Sequence, residues 1–331
     1  MIHSVFWRIV AGILVVASFP VMAQGSSTAS GQAWPTKPVR FIVPFPPGGT
    51  PDLLARQVGA RLTATLGQQF IVDNRPGASG SLGAGVAAKS TPDGYTFLFA
   101  GETHALNPTL IPNLPFDTVK DLAPVMLIGT APAAIVTNMS KPYKSFGDVI
   151  KAAKAKPDSV TYGSVGSGSL GHLTMTLLQQ TVGIKIVHVP YKGGGPMIVD
   201  ALGGQIDLGV ASVAVLGPYV TGRKLRAIAA TGEKRPSAMP DVPTLVEQGL
   251  PGITALAWFG VFVPAGIPKP VLDRFHEELT KVFNAPDVRK QLAETLGIDL
   301  VVSSPEALQK FLVSEIARWG KVARENNIRA E

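Results

Sequence analysis

Two glycine-rich stretches hold the residue types best suited to gripping an anion. The first is Pro44-Phe45-Pro46-Pro47-Gly48-Gly49-Thr50-Pro51-Asp52. The second is Gly163-Ser164-Val165-Gly166-Ser167-Gly168-Ser169-Leu170-Gly171-His172. Glycine lets backbone N–H groups approach a ligand closely. A helix that starts at such a loop also points its unpaired N–H groups and the positive end of its dipole there. That dipole favours an anion by roughly 0.3–1 kcal/mol, or up to about 2 kcal/mol when partly buried. A carboxylate or a phosphate would suit, although tight turns alone also use glycines. Two such loops, one per lobe, could face each other across a cleft at the C-terminal ends of their strands.

Other chemistry at these residues is weakly supported. Gly166-Ser167-Gly168-Ser169-Leu170-Gly171 matches the dinucleotide fingerprint G-x-G-x-x-G, but the stretch from Lys185 to Tyr191, where the ribose-binding acid belongs, has no Asp or Glu. A secreted serine hydrolase using Ser167 or Ser169 is the alternative enzyme. The stretch lacks the first glycine of G-x-S-x-G, and His172 is misplaced for a downstream base. His172 reads as a polar residue on a first helical turn, and His188 as a buried histidine inside an apolar strand. His104 follows a strand, which would put it at the cleft. These three and His276 show no metal spacing, so no metal or cofactor is expected. Asp52 reads either as a cap pairing with Arg56 at i+4 or as a ligand contact.

The elements that must carry the loops follow a strand–loop–helix–strand rhythm, which predicts parallel βαβ units. Val39 to Val43 is nearly continuous apolar, as in a strand covered on both faces. Leu54, Val58, Leu62 and Leu66 form one helix face, with Gly67 as its stop. Strands are expected at Phe70 to Val72 and Tyr95 to Phe99, with a short helix from Leu82 to Lys89. The rhythm restarts with a capping box at Ser145 and Asp148. Strands follow at Val160 to Tyr162, Ile186 to Val189, Asp207 to Val210 and Leu225 to Ala229. Helices run from Leu173 to Thr181 and from Pro196. Stripes at Val271, Phe275, Leu279, Val282 and at Leu308, Leu312, Ile316, Trp319 make the C-terminal region helical. The block at 38–100 and the block at 159–230 are alike, each with a glycine-rich loop after its first strand.

Composition bounds the class. The chain has 331 residues, enough for about two domains. It has no cysteine, which excludes disulfides, cysteine zinc sites and thiol nucleophiles. At 46% hydrophobic and 16% charged it can bury a large core. The net charge of +7 comes from scattered residues, and no nucleic-acid partner is expected. Residues 1–23 read as a cleaved signal peptide. His3 and Arg8 supply a weakly basic region, Ile9 to Phe19 the apolar run, and Val21-Met22-Ala23 the cleavage site. Cleavage after Ala23 leaves +6 and a Ser/Gly-rich leader over 24–33. Export without cysteine fits a bacterial periplasm.

These residues resemble a known family. The matching motifs near the N-terminus are Trp34-Pro35-x-Lys37-Pro38-x-Arg40, Val43-Pro44-Phe45-Pro46-Pro47-Gly48-Gly49-x-x-Asp52 and Asn74-Arg75-Pro76-Gly77-Ala78-x-Gly80. Pro92-Asp93-Gly94-Tyr95, Tyr162-Gly163-Ser164-x-Gly166-x-Gly168-x-x-x-His172-Leu173, Val189-Pro190-Tyr191-Lys192-Gly193 and Trp258-x-Gly260 continue the match. In order and spacing they look like the Bug-type periplasmic receptors of tripartite tricarboxylate transporters. The resemblance runs from Trp34 to the C-terminus. It implies an α/β, two-lobed clamshell fold, each lobe a mostly parallel sheet flanked by helices, joined by a two-strand hinge. Lobe 1 would be 34–137 plus 257–331, and lobe 2 would be 138–256. It further implies a monomeric receptor, not an enzyme, that closes on a small carboxylate ligand. Its partner would be a two-subunit membrane permease, with a sensor kinase as a second partner or an alternative one. By motif, Phe45, Pro47, Gly48, Gly49, Asp52, Gly77, Ala78 and Ser79 would line lobe 1. Ser164, Gly166, Ser167, Gly168, Ser169, His172, Tyr191, Lys192 and Asp207 would line lobe 2. Thr50-Pro51 departs from the family pattern and could reshape the first loop.

Overall fold

The computed structural model describes residues 34–329; the expected signal peptide and leader lie outside them. Two α/β halves share one sheet. The first half opens with β1 (Val39–Val43), α1 (Thr50–Leu66) and β2 (Phe70–Asn74). A 3₁₀ turn (Ala78–Gly80), α2 (Ser81–Ala88), β3 (Thr96–Gly101) and α3 (Glu102–Leu110) follow. β4 (Leu122–Asn138) then leads into the second half. That half contains α4 (Phe146–Ala155), β5 (Thr161–Ser164), α5 (Leu170–Val182), β6 (Val187–Pro190) and α6 (Gly194–Leu202). It ends with β7 (Leu208–Ser212), α7 (Val213–Thr221) and β8 (Leu225–Ala230). The chain returns through β9 (Leu256–Pro264), α8 (Lys269–Asn284), α9 (Pro286–Leu296), β10 (Asp299–Leu300) and α10 (Pro305–Glu325).

Strand order is β2-β1-β3-β9-β4-β7-β5-β6, with β8 and β10 pairing to β4 off this path. β1 pairs in parallel with β2 and β3, and β5 with β6 and β7. β4 and β9 are antiparallel to their neighbours. β4 threads both halves. Residues 122–132 pair with β9, and residues 133–138 pair with β7 and β8. The exchange of partners falls at Pro132/Ala133, ahead of the boundary expected after 137.

Thr231, fully buried, ties the two crossing segments together. Its Oγ1 accepts the Ala133 N–H at 2.9 Å and donates to the Ala255 carbonyl, while its own carbonyl accepts the Ala255 N–H at 2.9 Å. Side chains on both faces of the inner strands β1, β3, β5 and β7 are mostly buried, which accounts for their apolar runs, whereas the edge strands β2 and β6 are partly exposed. One core packs Phe41, Phe97, Phe99 and Phe275 between β1, β3 and α8; another packs Phe146, Tyr162, Met175 and Ile228. A smaller cluster joins α3, α5 and α10 through Leu106, Leu170, Leu173 and Trp319, so α10 touches both halves. Among the described residues no helix is long and apolar enough to cross a membrane.

Candidate ligand-binding cleft

A cleft of about 640 Å³ opens between the halves. Its second-half wall starts where parallel strands end and helices begin, as the βαβ rhythm requires. The loop 165–169 follows β5 and opens α5. Tyr191, Lys192 and Gly193 follow β6 and open α6. Ala211 and Ser212 end β7 and open α7. Three helix N-termini therefore meet one space, and none has an acidic residue in its first turn. Their unpaired N–H groups and dipoles make this wall attractive to an anion.

Local chemistry shapes the 165–169 loop. Ser169 is the N-cap of α5, its side chain accepting the His172 N–H at 3.4 Å. Gly168 sits at φ 74°, a left-handed conformation that costs an L side chain roughly 1–2 kcal/mol. Its N–H donates to His172 Nδ1 at 3.1 Å. Gly171 lets α5 close on β7: a Cβ there would meet the Val210 side chain and carbonyl at 3.3 Å.

Under the loop, His172 and His188 stack with ring centroids 3.9 Å apart. Burial lowers the pKa of His172. Burial, and then the charge of His172, lower that of His188 to about 4. His188 Nε2 and the fully buried Ser164 Oγ are 2.7 Å apart. Ser164 Oγ also donates to the Gly166 carbonyl at 3.0 Å. This serine–histidine pair supports the loop from behind.

The first-half wall is different. Phe45 and Ser79 line it, together with one face of α3: Glu102, Thr103, Leu106, Asn107 and Leu110. Glu102 occupies the first turn of α3, so the anion at that helix start belongs to the chain itself. Burial raises its pKa, and hydrogen bonds from its own N–H and the Trp258 N–H work against that rise. Asn107 Nδ2 donates to the Ser79 carbonyl at 3.0 Å. That bond pins a turn in which Ala78 (φ 45°) and Ser79 (φ 52°) are both left-handed.

Of the expected site residues, Phe45, Ser79, Gly166 and Ser167 line the cleft, as do Gly168, Ser169, Tyr191 and Lys192. Tyr191 donates to Asp200 Oδ2 at 2.6 Å, and burial together with that partner pushes its pKa up to about 12. Ser164 and His172 stand behind the wall. Gly77 and Ala78 flank Ser79 without lining the cleft.

The structure places other expected residues apart from this cleft. Pro47, Gly48 and Gly49 are exposed and do not line the cleft, because Asp52 folds the loop inward. The Asp52 carboxylate, 2% exposed, accepts the Gly48 N–H at 2.9 Å, Arg56 Nε at 3.0 Å and Asn74 Nδ2 at 2.9 Å. Burial alone would raise its pKa; the Arg56, Gly48 and Asn74 bonds and the Arg56 charge bring it below the ordinary value. Asp52 is thus the anion at that loop, buried and held by three donors of the chain itself. Asp207 lies just before β7, about 16 Å along the strand from Ser212 at ~3.3 Å per residue. It accepts Lys141 Nζ at 2.8 Å and the Thr161 N–H at 2.9 Å. His104 turns away from the cleft and is 3% exposed, its ring centroid 4.6 Å from that of Phe262.

Glu102, Thr103 and Asn107 were not anticipated. Asn107-Pro108 reads as a turn, which hides the helix that carries them. The polar pair Glu102-Thr103 directly after an apolar strand was the available signal.

The sequence profile of the family described as "Tripartite tricarboxylate transporter family receptor" matches residues 54–328. Protein BugT of Bordetella pertussis is 33% identical over 315 residues, 95% of this chain and 96% of BugT. The solved structure "R. palustris Rpa4515 with adipate" superposes with a TM-score of 0.79 at 34% identity, covering 89% of this chain and 99% of that one. "MatC (Rpa3494) from Rhodopseudomonas palustris with bound malate" superposes at 0.74 with 30% identity, covering 87% and 99%. With the order of motifs, the shared two-lobed fold and a profile spanning most of its length in agreement, the chain belongs to the tripartite tricarboxylate transporter receptor family.

Proposed function

We propose that this protein is a periplasmic receptor that captures a small carboxylate-bearing solute and hands it to a two-subunit membrane permease. The observation carrying this reading is the convergence of three helix N-termini, free of acidic residues in their first turns, on one cleft between two halves. Relatives with adipate and malate bound support the ligand class. The lobes are residues 34–132 with 256–329, and residues 133–255. They meet where β4 exchanges partners and Thr231 clamps the crossing. Ligand touching both lobes shifts the population toward the closed form. The ligand contacts lie at Phe45 and Ser79 on one side, and at Gly166 to Ser169, Tyr191 and Lys192 on the other. The signal peptide over 1–23 is removed after Ala23 on export.

Micromolar affinity corresponds to about 8.2 kcal/mol. Three helix ends at roughly 0.3–1 kcal/mol each supply a minor part. Side chains and apolar burial therefore supply most of it and set specificity. A thermal-shift screen of mono-, di- and tricarboxylates and aromatic acids tests the reading. A ligand at a hundredfold its Kd stabilises by about 2.7 kcal/mol, which raises the melting temperature by several degrees. If no carboxylate raises it, the ligand class is wrong.

A further inference from the structure

The two walls of the cleft have opposite character. On the second-half wall, α5, α6 and α7 present N-termini without acidic first turns, and Lys192 stands exposed at the rim. The wall facing it carries acceptors. Glu102 is half-buried there, and among the described residues no lysine, arginine or histidine forms an ion pair with it. Among the described residues its carboxylate meets backbone donors, its own N–H and that of Trp258. Asn107, one and a half turns further along α3, is 3% exposed. Its Nδ2 is fixed on the Ser79 carbonyl, which orients the amide. Its Oδ1 is buried with no hydrogen-bond partner among the described residues. A buried acceptor without a donor is costly and uncommon, so a native site that keeps one calls for an explanation. Both groups border the same cavity.

We propose that Glu102 and Asn107 form an acceptor subsite that selects carboxylates whose far end carries a hydrogen-bond donor, a hydroxyl or a protonated amine, over ligands with a second carboxylate there. The ligand's carboxylate takes the helix N-termini of the second half. Its donor end faces α3, completing Asn107 Oδ1 and neutralising Glu102. A second carboxylate in that place would meet the Glu102 charge in a desolvated cleft and leave Asn107 unsatisfied. The proposal rests on the receptor reading and assigns the specificity of that same cleft.

Isothermal titration at neutral pH with short linear carboxylates tests it. The series compares ω-amino, ω-hydroxy, ω-methyl and ω-carboxy forms at each chain length. The wild type should bind the amino or hydroxy form about tenfold or more tighter than the dicarboxylate of equal length. Glu102→Gln, which keeps size and shape, should weaken the amino form about tenfold and strengthen the dicarboxylate. Asn107→Leu should weaken the amino and hydroxy forms and leave the methyl form unchanged. Asn107 also anchors the Ser79 turn, so Glu102→Gln decides the matter if Asn107→Leu folds poorly. A wild type that prefers the dicarboxylate, or an order of preference unmoved by Glu102→Gln, overturns the subsite and leaves the receptor reading intact. If no member of the series and no other carboxylate binds, the receptor reading fails as well.

Discussion

His104 should make this protein lose stability in mild acid, by an amount that follows from its burial. The ring is 3% exposed, its Nε2 has no hydrogen-bond partner among the described residues, and burial lowers its pKa to about 3. In the unfolded chain the pKa is about 6.5. A lowered histidine pKa means the folded protein refuses a proton that the unfolded chain accepts. Stability is therefore complete above pH 6.5 and falls as the pH drops toward the folded value. The slope is about 1.4 kcal/mol per pH unit, so the loss between pH 7.5 and pH 5 is about 2 kcal/mol. The result is the same for any folded pKa near 4 or below. His104→Leu, similar in volume and set against Phe262, removes the effect. Histidines 172 and 188 act in the same direction, and Glu102, with its raised pKa, in the opposite one. All are common to both proteins and cancel in the difference. Guanidinium unfolding followed by tryptophan fluorescence at the two pH values gives the measurement. His104→Leu should gain about 2 kcal/mol on the wild type between pH 7.5 and pH 5. Parallel losses in the two proteins would refute the burial argument.

Two further perturbations address the loops. Gly168→Val places a β-branched residue at φ 74°, where strain costs more than the roughly 1–2 kcal/mol of an ordinary side chain. Titration should show carboxylate affinity at least tenfold weaker with the circular dichroism spectrum retained; unchanged affinity would make the loop only a turn. Asp52→Ala removes three hydrogen bonds to a buried carboxylate and leaves Asn74 and Gly48 short of an acceptor, at a cost of about 2–4 kcal/mol by chemical denaturation. The lowered Asp52 pKa means this contribution is present above the unfolded value of 3.8 and disappears as pH falls through the folded one. The difference between wild type and Asp52→Ala should therefore shrink below pH 4.

Legibility in the sequence followed how local the signals were. β1 covers the apolar run Val39–Val43, α1 ends where Gly67 turns left-handed, and Ser145 and Asp148 form the reciprocal capping box. Each depends on residues a few positions apart. The segment from Glu102 to Asn138 went unread because prolines interrupt its pattern. Pro108 lies inside α3, and Pro124 and Pro132 lie inside β4. In β4, Pro124 stands beside a register shift and Pro132 at the exchange of partners, positions where a missing N–H is tolerated. The site was half legible for a related reason. A glycine-rich loop before a helix announces an anion, but not whose anion it is. At the second loop the place is open to a ligand. At the first it is filled by Asp52, and at α3 by Glu102, and only tertiary placement separates these cases. The place of Asp207, just before β7 and away from the cleft, depends on register, which the sequence does not display.

The single strand β4 also bears on how the protein comes into being. Its first part completes a sheet only when β9 arrives from the far end of the chain, and its second part needs β7 and β8. A growing polypeptide that has made only the first hundred or so residues, roughly one domain's worth, still lacks the central partner of its own sheet. Contacts this distant in sequence make early folding slow. The first half therefore cannot complete its sheet until the last quarter of the chain, which carries β9, has been made. The second half's partners for β4, β7 and β8, precede β9 in the chain, so the order of synthesis favours the second half, while the continuity of β4 couples the completed sheets.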